Sequence, residues 1–176
     1  MTDTVVLFAG HRLDGPGRTP PRFAPECEPK ARAAIQSVLK NIAEAALGPV
    51  LVIAGAADGG DILFHEVCGK LGVKSEVCLA LPVAEYVRTS VGASWTDRFH
   101  CLLQTHPTAI LEPGLGDVWL RDHDWQLRRG RERHPRRMVL VALLEDGDAD
   151  IPGGTSGMVC LAQVCILTAA KRSSRC

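Results

Sequence analysis

The chain has 176 residues, 46% of them hydrophobic, and its 20 Lys and Arg balance 20 Asp and Glu to a formal net charge of zero. That length suits one domain, able to bury roughly 70% of its unfolded surface without disulfide staples. No apolar run approaches the roughly 18 to 20 residues of a membrane span. Seven cysteines (Cys27, Cys68, Cys78, Cys101, Cys160, Cys165 and Cys176) form no C-x-x-C pair, and no basic leader with a long apolar stretch opens the chain. They read as reduced thiols of a cytoplasmic protein.

In chain order, Thr4 to Gly10 is a short β-branched apolar run that predicts a strand. His11 to Glu26 follows as a long loop with Pro16, Pro20, Pro21, Pro25 and Arg12, Arg18 and Arg22, a length that is usually functional or disordered. Pro29 to Leu47 carries Ala31, Ile35, Val38, Leu39, Ile42 and Ala46 at helical spacing, with proline at its start and Gly48 at its end. Val50 to Ala56 is the second predicted strand. Asp61 to Leu71, stopped by Gly72, is the second helix, and Asp58 or Asp61 is placed to cap it. Val73 to Leu81 is the third strand, closed by Pro82. Ala84 to His106 predicts one or two helices, broken near Gly92 and restarted at a Ser94-x-x-Asp97 capping box. Thr108 to Leu111 is the fourth strand, Asp117 to Arg133 a weakly patterned helix and Met138 to Leu144 the fifth strand. Met158 to Ala170 reads as a closing helix.

Nearly continuous apolar strands alternating with helices predict a doubly wound, five-stranded, mostly parallel sheet with helices on both faces. In such sheets ligands sit beyond the carboxyl ends of the strands, at the switch point. Two glycine-rich strand-to-helix turns point there: Gly55-Ala56-Ala57-Asp58-Gly59-Gly60-Asp61, and Asp150-Ile151-Pro152-Gly153-Gly154-Thr155-Ser156-Gly157. Glycine lets a backbone approach a ligand, and the free amides of a helix start favour an anion.

Gly10-His11-Arg12-Leu13-Asp14, the Gly55 to Leu63 turn with Glu66, Leu81-Pro82 and Pro152-Gly153-Gly154-Thr155, in that order, resemble the SLOG superfamily. This group includes LOG-type phosphoribohydrolases, DNA-processing proteins and the ADP-ribose-sensing domains of melastatin-type TRP channels. The resemblance covers most of the chain in element order and implies a single Rossmann-like domain that binds a nucleotide, a nucleotide-derived signal or nucleic acid. The hydrolytic branch carries Pro-Gly-Gly-x-Gly-Thr-x-x-Glu, whereas Cys160 stands here at the place of the glutamate.

The expected ligand-binding residues are Gly10, His11, Arg12, Gly55, Asp58, Gly59, Gly60, Asp61, Gly153, Gly154, Thr155 and Ser156. Gly153, Gly154 and Thr155 would hold a phosphate through amides and a hydroxyl, Arg12 would neutralise it, and Gly55 to Asp61 would take the ribose or a second phosphate. The expected function is binding or sensing of a phosphorylated nucleotide or nucleotide-derived signal. The alternative is a nucleoside-monophosphate N-glycosidase using Glu66 or Glu112, and a third reading is nucleic-acid binding through seven arginines between Arg121 and Arg137. His65-Glu66-x-Cys68, His100 and His106 lack metal-ligand spacing, so neither metal nor cofactor is expected. Trp95 reads as core. Self-association stays open.

Overall fold

The protein is described here by a computed structural model that places residues 2–15, 19, 23–144 and 164–168. Among these, β1 (Thr4–Gly10), β2 (Val50–Ala54), β3 (Lys74–Leu79), β4 (Thr108–Ile110), β5 (Arg137–Leu144) and β6 (Val164–Thr168) form one sheet in the order β4-β3-β2-β1-β5-β6. Every pairing is parallel. The intervening helices are α1 (Glu28–Ala45), α2 (Gly60–Leu71), α3 (Val83–Ser90), α4 (Thr96–Thr105) and α5 (Val118–Glu132).

Strand alternation explains the two layers. Val6 and Phe8 of β1 point to one face, where they pack with Ile35 and Leu39 of α1, Ile62, Phe64 and Val67 of α2 and Phe99 of α4. Val5, Leu7 and Ala9 point to the other, against Leu127 and Trp125 of α5, with Ile53, Cys78 and Leu140 completing that core. The chain steps outward from β1 to β4 and then returns across the second face to β5, on the far side of β1. The reversal places the switch point between the carboxyl ends of β1 and β5, where Gly10 is level with Leu143. The fold is therefore the doubly wound α/β architecture expected, with helices on both faces.

Three expectations need correction. The sheet has six strands, because Val164–Thr168 pairs in parallel with Leu140–Leu144 where a helix over Met158 to Ala170 is expected. A short apolar run rich in β-branched residues looks the same to periodicity as a strand or a buried helix segment. Ser94 does not cap a helix: it lies in a tight turn over Ala93–Trp95, and α4 starts at Thr96 without a side-chain cap. Neither Asp58 nor Asp61 caps α2, whose cap position is Gly59 at φ 94. The C-terminal stop is as read, with Gly72 at φ 68 donating to Cys68 and Gly69.

Gly59 combines a left-handed backbone with a full environment, since a Cβ there would lie 2.8 Å from the His11 carbonyl oxygen and 2.9 Å from the Leu13 nitrogen. Gly59→Ala should thus cost about 2–3 kcal/mol in urea unfolding, from backbone strain alone. A loss within experimental error would mean that position 59 does not hold this left-handed conformation.

Candidate functional site

The site forms where the loops after β1 and β2 lock together. Gly60 donates its amide to the His11 carbonyl at 3.0 Å and Leu13 donates to the Asp58 carbonyl at 3.3 Å. The contact is backbone on backbone: a Cβ on Gly10 would stand 2.9 Å from the Gly60 Cα. Gly10, Gly59 and Gly60 are thus required for the loop after β1 to meet the start of α2. The first amides of α2 are largely used inside the protein, Gly60 by His11 and Ile62 by Ala57. His11 adds a main-chain bond to Leu143 at 3.3 Å, which fixes the β1 end against β5.

Asp58 ties this pair of loops to a third. Arg12 donates from Nε to Oδ1 at 2.7 Å and from Nη2 to Oδ2 at 3.2 Å, and Gly92 donates its amide to Oδ2 at 2.7 Å. Arg12 Nη1 also reaches the Thr89 carbonyl at 2.8 Å, and the Asp58 amide donates to Ser90 at 3.0 Å. The guanidinium side chain remains 49% exposed whereas the Asp58 side chain is 7% exposed. Arg12 is therefore first a structural fork, and its outer face borders solvent.

Asp61, partly exposed, sits at the ends of β1 and β2 and accepts from the amides of Ala57, at 3.3 Å, and Gly10. Burial pushes its carboxyl up to about 7, with Asp58 adding to the shift and the two amides and Arg12 opposing it. Gly55 makes the room: a Cβ there would meet Asp61 Oδ2 at 2.6 Å and the Tyr86 hydroxyl at 3.3 Å. Tyr86 in turn accepts the Ala56 amide at 3.1 Å. Below it, buried His65 holds the Gly55 carbonyl at 2.9 Å through Nε2 and Ser75 Oγ at 3.0 Å through Nδ1. A carbonyl only accepts, so Nε2 carries the proton and the serine donates to Nδ1. Burial pushes His65 down to about 4, which keeps it neutral.

From the second face, Asp122 of α5 approaches the same region. It is 7% exposed, Gln126 donates to its Oδ2 at 2.8 Å, and its Oδ1 has no partner among the described residues. Burial pushes this carboxyl up to about 7, and the charge of Asp61 adds to the shift. Tyr86, His65, Gln126 and Asp122 were not anticipated as part of the site. Asp122 reads in sequence as a counter-charge among arginines, and nothing local distinguishes it.

The other candidates lie elsewhere. Glu66 faces α1 and α4, where it accepts from Arg98 at 2.7 and 2.8 Å and from Arg32 at 2.6 Å, with Glu28 completing the network. Burial alone would raise its carboxyl, but the two arginines overcome this and hold it below the usual range. Arg98 also stacks 3.6 Å above the ring of Trp95, which is core as expected. Glu112 is exposed beyond β4, at the edge of the sheet, three strand spacings or roughly 14 Å from β1. The arginine-rich helix uses its charges internally: Arg129 and Arg133 pair with buried Glu76, Arg128 with Asp124, and Arg121 with the carbonyls of Glu112 and Gly114. Cys27, Cys68, Cys78 and Cys101 are free thiols, burial pushing Cys68 up to about 12. No group of His, Cys, Asp or Glu among the described residues suits a metal ion. Gly153, Gly154, Thr155 and Ser156, like Cys160, lie outside the described residues.

Fold and site together define a doubly wound α/β protein with a largely buried cluster of acidic and polar groups at the carboxyl ends of β1 and β2. A scan against protein-family models and searches of curated proteins and of solved structures find no match.

Two outcomes follow from this geometry. Arg12→Ala should lower unfolding stability by about 1–3 kcal/mol, because Asp58 stays buried with its charged partner removed; unchanged stability would show that the fork is not formed in solution. Asp61 and Asp122 both hold their protons more tightly folded than unfolded, where 3.8 is the ordinary value. Each contributes stability that is complete below pH 3.8 and is lost as pH rises to about 7. His65 acts oppositely, its contribution fading in from about 4 to 6.5. Two carboxyls outweigh one imidazole, so these groups together make stability fall from about pH 4 to about pH 7, most steeply above 6.5, and Asp122→Asn should flatten that fall; a parallel pH profile for wild type and variant would contradict it.

Proposed function

We propose that the protein binds a phosphorylated nucleotide, or a signal derived from one, at the carboxyl ends of β1 and β5, as a SLOG-like intracellular sensor. The observation that supports this most is Asp61: a carboxyl that burial pushes up to about 7, on a residue of intermediate exposure at the carboxyl ends of β1 and β2, beside the switch point of a doubly wound sheet and between two loops joined by main-chain contacts. Ligand sites in such sheets form at that place, and titratable groups shifted toward neutrality mark functional crevices. Asp61 would take the sugar. Arg12 borders the crevice with its exposed face, and the phosphate half of the reading rests on residues 152–156, which follow β5 in sequence.

Hydrolysis is not part of this reading. Position 160 is cysteine, Glu66 is neutralised by Arg32 and Arg98, and Glu112 stands at the far edge of the sheet. Incubation with nucleoside monophosphates should therefore release no free base at enzymatic rates.

Thermal denaturation against AMP, ADP and ADP-ribose tests the proposal. A ligand at 100 times its dissociation constant adds about 2.7 kcal/mol, which for a chain of this size raises the melting point by roughly 5–10 °C. Asp61→Asn should reduce the shift. If none of the three moves the melting point, the nucleotide reading falls.

A further inference from the structure

The sheet ends at β4, which among the described residues has a neighbouring strand on one side only. Val77 donates its amide to the Pro107 carbonyl at 2.9 Å and Leu111 donates to the Leu79 carbonyl at 2.9 Å. The main-chain groups of Pro107, Ala109 and Leu111 therefore turn toward β3. Those of Thr108 and Ile110 turn outward, and both residues are exposed. Such an open row of amides and carbonyls is a template for another strand.

Sheet edges are commonly guarded by charge, or by a proline that removes an outward donor. Thr108-Ala109-Ile110 carries no charge, and Pro107 stands at an inward position, where its missing N–H takes nothing from the outer edge. Exposed apolar surface gathers here as well. Among the described residues, the large hydrophobic side chains left exposed are Leu47 and three that belong to β4 and the segment after it: Ile110 at 44%, Leu115 at 98% and Leu120 at 51%. An apolar patch beside an unguarded edge marks a docking surface.

The edge is its own complement. Identical strands related by a two-fold axis pair antiparallel. With the axis at Ala109, Thr108 of one copy lies opposite Ile110 of the other, and each such couple exchanges two main-chain hydrogen bonds. No other register pairs the two outward residues of β4 with each other. Ala109 then meets its own copy at the close, non-hydrogen-bonded position, which a small side chain suits, and Thr108 packs on Ile110 as a β-branched pair. Two residues further out, on the same face, this register sets the half-buried imidazole of His106 opposite the exposed carboxylate of Glu112.

We propose that the chain forms a two-fold dimer by antiparallel pairing of β4 with β4 of a second copy, centred on Ala109, so that two six-stranded sheets become one. This goes beyond the ligand reading and does not depend on it, since β4 and β1 are separated by β3 and β2. Glu112, remote from the switch point, becomes a charge that faces the second copy. The strand is short, so the contact buries less than roughly 1,200 Å² and the dimer is an exchanging one, with a dissociation constant of about 10–100 µM.

Sedimentation equilibrium of the full chain, from about 1 µM to about 500 µM, brackets that affinity. The mean mass should climb from that of one chain toward that of two. Ile110→Lys places an ammonium in the pairing edge and should raise the dissociation constant at least about tenfold. Glu112→Lys turns attraction for His106 into repulsion and should raise it about threefold. Leu47→Lys, the same kind of change at a side chain 82% exposed and away from β4, should leave it unchanged. All three replaced side chains are exposed, so each variant keeps its fold. A single-chain mass throughout overturns the proposal. So does a dimer that Ile110→Lys leaves intact or that Leu47→Lys weakens equally, because its interface lies elsewhere. An affinity untouched by Glu112→Lys overturns the pairing centred on Ala109.

Discussion

One buried carboxylate holds three loops together at the carboxyl ends of β1 and β2. Asp58 takes the fork of Arg12 from the loop after β1, the amide of Gly92 from beyond α3, and through its own main chain reaches Leu13 and Ser90. Loops at a sheet edge would otherwise fray, since little apolar surface anchors them. A charged hydrogen-bond centre removed from solvent is worth more than its exposed equivalent, and it is directional. The positions of Gly10, Gly60 and Asp61 follow from it, because the two loops that carry them are clamped on both sides.

The glycines serve this clamp rather than a ligand in the first instance. Sequence reasoning takes Gly10, Gly55, Gly59 and Gly60 as gaps through which a ligand approaches backbone. The structure fills each gap with protein: Gly10 against Gly60, Gly59 against His11 and Leu13, and Gly55 against Asp61 and Tyr86. Space is conceded so that polar groups can be drawn together at the ends of β1 and β2. The result is a buried polar cluster in which His65 stays neutral, burial pushes the carboxyls of Asp61 and Asp122 up to about 7 and Tyr86 holds its proton.

Charge elsewhere is spent on packing. Glu28, Arg32, Glu66 and Arg98 knit α1, α2 and α4, and Arg98 lies on Trp95 as it does so. Glu76, buried on β3, is met by Arg129 and Arg133 of α5. A buried carboxylate on a strand requires cations above it, which accounts for two arginines of a cluster that sequence alone offers to nucleic acid.

The alternation of apolar runs with helical periods was enough to determine the doubly wound class and the edges of α1 and α2, since strand and helix periods and crossover rules are local or topological properties. The last strand was illegible because Val164–Thr168 is too short and too uniformly apolar for its period to speak. The role of Arg12 was half legible: its place after β1 was plain, but its partner Asp58 is 46 residues away, and Thr89 is 77. Asp122 was silent altogether. Its burial, its oxygen unmet among the described residues and the influence of Asp61 on it exist only once α5 crosses to the second face, because proton affinity depends on what surrounds a group in space and not on its neighbours in the chain.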